Sequence, residues 1–347
     1  MGKSVTARVG QARIIFRMTR LFLYEHITAH GLGRDPASPE HSLFIEGTAM
    51  LRAIRTDFAA IPGVEVLTGT PGEFGALAAV ADWSFIIAPE TDGVLLKLAD
   101  DVERVGGRLL GPRPQAIALT SDKFALFQHW RSQGVPTPAT ALVPEPPPGW
   151  PCVVKRRDGA GSDGTKLVGT GGEYADLDGP WIAQPFCRGQ PASVAYILAP
   201  GDIVALPPTF QCVSTDGRFR YGGGLVPIAL ELGMRAERLG RRALRGIPGL
   251  LGYVGVDLIL GDAEDGSGDV ALEINPRLTT SYVGLRAHLG GNLAALILEI
   301  ANGGPGRLRL APRGRVAFSA AGEIRHEPAG DWWSGEPRDS RNSDFPF

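Results

Sequence analysis

Two short runs, Gly255-Val-Asp257-Leu-Ile-Leu260 and Val270-Ala-Leu-Glu273-Ile-Asn275-Pro276-Arg277, alternate with a period of two. That period belongs to strands. In the first, Val256, Leu258 and Leu260 stand against Asp257 and Ile259; in the second, Ala271, Glu273 and Asn275 stand against Leu272 and Ile274. Residues 261–268 are dense in turn formers, so the two runs read as a hairpin that sets Asp257 beside Glu273 and Asn275. Two carboxylates and an amide then converge. Such oxygen ligands suit magnesium, which proteins hold through one or two carboxylates together with substrate phosphates. Arg277 follows on the same face, where its planar fork can grip a phosphate or carboxylate through two bonds. A salt-bridged hairpin with an acidic tip is the alternative these residues leave open.

A chain of 347 residues is long enough for two or three domains. Its 44% apolar and 21% charged residues are those of a globular protein. Lys and Arg (35) nearly balance Asp and Glu (37), so no chain-wide basic field invites nucleic acid or anionic lipid, and small substrates are expected. Cys152, Cys187 and Cys212 are widely spaced, without C-x-x-C pairs or clustered histidines. They fit neither a disulfide framework nor a zinc site, and read as small hydrophobes in a reducing, cytoplasmic compartment. No apolar run approaches the roughly 20 residues a membrane helix needs. Arg13, Arg17 and Arg20 interrupt the first apolar stretch, so no secretory signal is expected.

Residues 12 to 117 alternate strand and helix patterns: Arg13–Phe16, a helix from about Ser42 to Ala60, Val64–Leu67, Trp83–Ile87, a helix from Leu95 to Val105, and Arg108–Leu110. Alternation of this kind implies parallel βαβ units. Ser42 is expected to cap its helix, with Ile45, Ala49, Ile54 and Phe58 inward. Glu90 and Asp92 follow a strand, where parallel sheets bind ligands; a helix cap at Thr91 or Asp92 explains them equally well. A second unit starts at Thr120-Ser-Asp-Lys-Phe124, and short strand signals after it suggest a small antiparallel sheet. A third carries the acidic hairpin and helices at about 234–245 and 293–301. The boundaries so drawn are 1–118, 119–189, 190–310, and 311–347, which includes Trp332-Trp333 and reads equally as an extension docked at one end or a partly disordered tail.

Pro151-Cys-Val-Val-Lys155 ends an apolar strand with a lysine, and Gly159, Gly161, Ser162 and Gly164 populate the loop after it. Glycines let backbone N–H groups turn together toward an anion, and the lysine adds charge. No helix opens after a Gly-Lys-Ser/Thr, so this is not a Walker loop. On its own such a loop also fits a flexible hairpin turn.

The order along the chain decides between these readings: Lys123 at a helix start, Lys155 with its glycine loop, a hinge, then Asp257, Glu273 and Asn275. That order resembles the ATP-grasp superfamily over roughly Thr120 to Gly304. The resemblance implies an ATP-grasp fold of α/β class, α+β in its central part, behind an N-terminal parallel-sheet pre-ATP-grasp domain. It implies that Lys123 and Lys155 contact nucleotide phosphates, that residues 159–165 fold over ATP, and that Gln184-Pro-Phe186-Cys187 is the adenine hinge. Where the family commonly has a ribose-binding glutamate, this chain reads Gln190-Pro-Ala-Ser193, leaving Gln190 or Ser193 for that contact. Asp257, Glu273 and Asn275 match the metal ligands for magnesium or manganese, and Arg277 matches an arginine that neutralises the acyl-phosphate region.

Four further stretches, Ser42–Met50, Ile87–Gly93, Tyr221–Pro227 and Asn275–Gly284, look like the tyramine–L-glutamate ligase group of methanofuran-type cofactor biosynthesis. This implies an ATP-dependent carboxylate-amine ligase working through an acylphosphate, with Lys155 and Arg277 catalytic. Glu90, Asp92, Tyr221, Thr280 and Ser281 are its substrate candidates. Its partners would be a small carboxylate and an amine, with neither nucleic acid nor membrane, in a homodimer. An amino-acid or peptide ligase of another pathway and a non-catalytic nucleotide-binding protein are the competing expectations.

Overall fold

The computed structural model describes residues 18–170, 177, 179–304, 306 and 311–327. The strand expected at Arg13–Phe16 and the Trp332-Trp333 pair lie outside the described residues. The first described strand is β1 (Thr19–Glu25), buried from Leu21 onward and absent from the expected set. Its last residue, Glu25, caps helix α1 (His26–His30) by accepting from Ile27 N and Thr28 N. Then come α2 (His41–Ala59), β2 (Val64–Leu67), α3 (Phe74–Val80), β3 (Trp83–Ile87) and α4 (Val94–Arg104). The sheet order is β2-β1-β3, all parallel. Arg108–Leu110 supplies only an isolated bridge, Leu109 to Ser84. Ser42 does not cap α2: the helix begins at His41, and no side chain caps it.

Helices α5 (Pro114–Ser121) and α6 (Lys123–Ser132) lead into a small antiparallel sheet. Its strands are β4 (Ala141–Leu142), β5 (Cys152–Arg156), β6 (Lys166–Val168) and β7 (Trp181–Pro185), in the order β4-β7-β5-β6. The glycine loop joins β5 to β6.

The largest sheet starts with β8 (Gln190–Ala199), β9 (Asp202–Ala205), β10 (Thr209–Val213) and β11 (Tyr221–Val226). Helix α7 (Leu230–Leu244), the hairpin β12 (Gly252–Leu260) and β13 (Val270–Asn275), α8 (Ser281–Leu289), α9 (Leu293–Ala301), β14 (Val316–Ser319) and β15 (Ile324–His326) complete it. The order is β13-β12-β8-β10-β11-β14-β15, with β9 also on β8. Because β14 pairs with β11 and β15 with β14, the segment beyond residue 310 joins one edge of this sheet as far as His326.

Both faces of the large sheet are covered, which is why its central strands are apolar at almost every position. Val194, Tyr196, Val254 and Val256 pack on one side with Ala236, Leu239 and Ala243 of α7. Ala195, Ile197 and Tyr253 pack on the other with α8, α9 and α2. Asp57 of α2 is buried on that second side and answered there: Arg286 donates to both its oxygens at 2.5 and 2.9 Å, and the Tyr282 hydroxyl at 2.6 Å. This network clamps the N-terminal sheet onto the large one. No single helix among the described residues is long and apolar enough to cross a membrane, and the apolar α8–α9 pair, bent by 100°, sits in the core.

Gly189 links the small and large sheets at φ 141°, and a Cβ there would lie 2.3 Å from the Leu260 carbonyl oxygen. Gly189→Ala is therefore expected to lower the unfolding free energy by about 2 kcal/mol or more, from backbone strain and the clash with β12. Urea unfolding followed by tryptophan fluorescence measures this; an unchanged midpoint would show that the link yields.

Candidate active site

Asp257 faces Glu273 directly across the β12–β13 ladder, and Gly255 faces Asn275. The pairing then jumps from Asp257–Glu273 to Leu258–Ala271, leaving Leu272 unpaired in a bulge. The bulge corrects the strict alternation expected of this strand: Ala271 turns into the core with Ile274, while Leu272 joins Ile259 on the wall of a cavity. That cavity, of about 260 Å³, lies where the three sheets meet.

Asp257 accepts Asn275 Nδ2 at 3.0 Å on one oxygen and Gln211 Nε2 at 3.0 Å on the other. Burial, then the charge of Glu273, pushes its carboxyl up. Burial acts on Glu273 in the same sense, but the charges of Lys123 and Lys155 outweigh it and hold that carboxyl low. The lysine ammonium nitrogens lie 3.3 Å (Lys123) and 3.8 Å (Lys155) from Glu273 Oε2. Lys123 begins α6 because Asp122 caps that helix, accepting Phe124 N and Ala125 N; Arg157 braces the same carboxylate at 2.7 and 2.5 Å. Burial, reinforced by Lys123, also lowers Lys155 against the pull of Glu273.

Two carboxylates and one amide meet the requirement for a magnesium site. Asn275 donates through Nδ2, which leaves its carbonyl oxygen as an acceptor that could serve as a third ligand. Mutual repulsion between Asp257 and Glu273 is the load a divalent cation relieves.

The glycine loop lies over this cavity and touches the N-terminal sheet's helices. Lys123 Nζ donates to Gly159 O at 2.6 Å, and Ala160 N to Thr91 Oγ1 at 3.2 Å. Gly161, at φ 66°, sits where a Cβ would come within 2.7 Å of the Leu43 side chain. Gly159, Gly161 and Ser162 line the cavity; Gly164 packs on Trp181 outside it. Gln184 is buried and lines the cavity, its Nε2 donating to Thr140, so its Oε1 is the atom open to a ligand. Phe186 stacks on Phe219 at 6.1 Å between centroids, and Cys187 also lines the wall. Gln190 does not: it is exposed at the start of β8, whereas Pro191 and Ser193 face the cavity. Side chains alternate along a strand, so of the two candidates Ser193, not Gln190, reaches the cavity; its hydroxyl shares a hydrogen bond with Thr209 at 2.7 Å.

Arg277 lines the cavity, but its partner is Glu90. Nε and Oε1 lie 3.0 Å apart without alignment of the N–H, so the pair's hydrogen bond is Nη2 to Oε2 at 3.1 Å. Glu90 thus stands behind Arg277 instead of facing a substrate. Asp92 is exposed and bonded to Arg156 at 2.8 Å, away from the cavity, and neither Thr91 nor Asp92 caps α4, whose N-cap is Gly93. Tyr221, Thr280 and Ser281 do line the cavity. Thr280 donates to Glu46, and Ser281 bonds Tyr253 and Thr279.

Glu25, Glu46 and Gln211 are wall residues to which sequence reasoning gave no site role. Glu25 closes the apolar run Leu21-Phe-Leu-Tyr24, and an acidic residue at the carboxyl end of a parallel strand is the signal for it.

An ATP-grasp domain model matches residues 120–281, and a pre-ATP-grasp domain model matches residues 60–117. The tyramine–L-glutamate ligase of Methanocaldococcus fervens is 30% identical over 221 residues, 64% of this chain and 66% of that protein. Its counterpart in Methanocaldococcus jannaschii is also 30% identical over 221 residues, 64% of this chain and 63% of the relative. The match therefore spans just under two thirds of the length of these curated relatives. The crystal structure of an ATP-grasp superfamily protein from Archaeoglobus fulgidus superposes with a TM-score of 0.67 at 25% identity, covering 87% of this chain and 92% of that one.

Glu90→Ala leaves Arg277, only 13% exposed, without its counter-charge. A loss of about 3–5 kcal/mol in unfolding free energy is expected, with a smaller loss for Glu90→Gln. Chemical denaturation checks both; equal stability of the Ala variant and wild type would contradict the pairing.

Proposed function

Since residues 120–281 match an ATP-grasp domain and residues 60–117 a pre-ATP-grasp domain, we propose that the chain is an ADP-forming carbon–nitrogen ligase that joins the carboxylate of glutamate to a primary amine. The observation that carries the reading is the meeting of Lys123, Lys155, Asp257, Glu273 and Arg277 on one cavity, under a glycine loop. The likeness to two tyramine–L-glutamate ligases supports glutamate and an aromatic amine as substrates, and formation of a methanofuran-like cofactor as the setting.

In this reading Gln184, Ile259 and Leu272 take the adenine, and Lys123, Lys155 and the loop N–H groups take the phosphates. Magnesium, held by Asp257, Glu273 and Asn275, would supply positive charge to the phosphate oxygens. A substrate carboxylate oxygen forms a bond to the γ-phosphorus, and the bond from that phosphorus to ADP breaks. The ammonium first gives one proton to solvent, the neutral amine nitrogen attacks the acyl carbon, and its second proton passes to the departing phosphate. The C–N bond forms, the C–O bond to phosphate breaks, and phosphate leaves with the electron pair. The chain's contribution is positioning and charge neutralisation, with no protein nucleophile. Lys155 and Arg277 hold the phosphoryl oxygens, and Glu90 keeps Arg277 aimed into the cavity.

Phosphate release from ATP with glutamate and a panel of amines, against each component omitted, tests the reading. Release is expected only with all three. Lys155→Ala and Glu273→Ala are each expected to lower the rate at least about a hundredfold, the scale of losing one positioned charge in a transition state. Wild-type rates in both variants would remove the site from the reaction.

A further inference from the structure

On the α2 side, the cavity wall carries two carboxylates that the phosphate site does not use. Glu25 is 3% exposed and lines the cavity from the end of β1; its oxygens accept Ile27 N at 3.2 Å and Thr28 N at 2.7 Å as the cap of α1, and no cationic side chain among the described residues pairs with it. It has room because residue 47 is glycine: a Cβ there would lie 2.8 Å from the Glu25 carboxylate. Glu46, the preceding residue of α2, accepts one hydrogen bond, from Thr280 Oγ1 at 2.9 Å. Its other oxygen and the hydroxyl of Tyr221, also on this wall, have no hydrogen-bond partner among the described residues.

The cations on the wall are already committed. Lys123 and Lys155 face Glu273, Arg156 faces Asp92 and Asp158, and Arg277 faces Glu90. Burial pushes the carboxyls of Glu25 and Glu46 up, and the distant pull of Arg277 does not offset it. Around them stand Ile27, Met50, Ile87, Ala88 and Pro89, an apolar surface that gives no other counter-charge. A cation that enters the cavity therefore meets two carboxylates with which no cationic side chain of the described residues pairs, and its charge favours their ionised form.

We infer that Glu25 and Glu46 form an ammonium subsite, which seats the primary amine substrate by its cationic head while the apolar wall takes its hydrocarbon or aromatic body. Tyr221 offers a further acceptor to the same head. The role as amine site rests on the ligase reading; the binding chemistry does not.

Isothermal titration of the full chain, with magnesium and a non-hydrolysable ATP analogue present, compares tyramine with tyrosol, its neutral alcohol counterpart. Tyramine is expected to bind about tenfold or more tightly than tyrosol, the worth of one well-placed charge contact. Glu46→Gln is expected to erase that margin while leaving tyrosol binding unchanged. Gly47→Ala, which retains both carboxylates but crowds Glu25, is expected to weaken tyramine several-fold. Unchanged affinity for the ATP analogue reports an intact fold in each variant, and the wild-type comparison decides alone should a variant not fold. Equal affinities for the two compounds, no tyramine binding, or unchanged tyramine affinity in Glu46→Gln would overturn the subsite. Phosphate release separates the two ideas: charge-dependent tyramine binding without turnover overturns the ligase reading alone, and turnover with an unaltered amine KM in Glu46→Gln overturns the subsite alone.

Discussion

The carboxylate of Glu273 is where the molecule's parts are tied together. Lys123 reaches it from the first turn of α6, Lys155 from the end of β5 in the small sheet, and Asp257 faces it across the hairpin of the large sheet. Lys123 is buried and Lys155 and Asp257 are half-buried, so the charges interact through a medium of lower effective dielectric than water and are costly to separate. Two lysines that face a single carboxylate are also two lysines in excess of it by one charge. An anionic ligand beside them is favoured for that reason, and its own cation is favoured beside Asp257.

A second layer of ion pairs fixes the cavity's remaining wall. Asp57 with Arg286 and Glu90 with Arg277 both run from the N-terminal sheet to the segment just after β13. Residues 277–286 therefore serve two purposes at once: they line the cavity and hold the parallel sheet against it. The glycine loop completes the enclosure through Thr91 and Leu43, so all three sheets contribute to one space. Lids of this kind exclude water when they close.

Much of this was legible in the sequence because it is written in local order. The hairpin follows from period two and its turn residues, and α9 follows from its apolar run. What was not legible depends on pairings between distant residues. The Leu272 bulge is invisible to a period count, since only the ladder shows that Leu258 meets Ala271. Glu90 and Asp92 look alike two residues apart, yet one is buried against Arg277 and the other is at the surface with Arg156. β11 escaped notice because Gly222, Gly223 and Gly224 carry no strand signal. The third fits there because a Cβ would meet Phe210 O at 2.5 Å, and Gly223, at φ 132°, because one would meet Phe318 O at 2.0 Å. Glu25 received no site role because what brings it beside Glu46 is the packing of β1 against α2, which local order does not show.

The central claim is that this cavity activates a carboxylate by phosphorylating it before an amine arrives. Glutamate labelled with oxygen-18 in its carboxylates tests that step directly, by mass spectrometry of the phosphate released during amide formation. The account predicts one labelled oxygen in each phosphate, carried over when the C–O bond breaks. Phosphate free of label, formed alongside the amide, would contradict it.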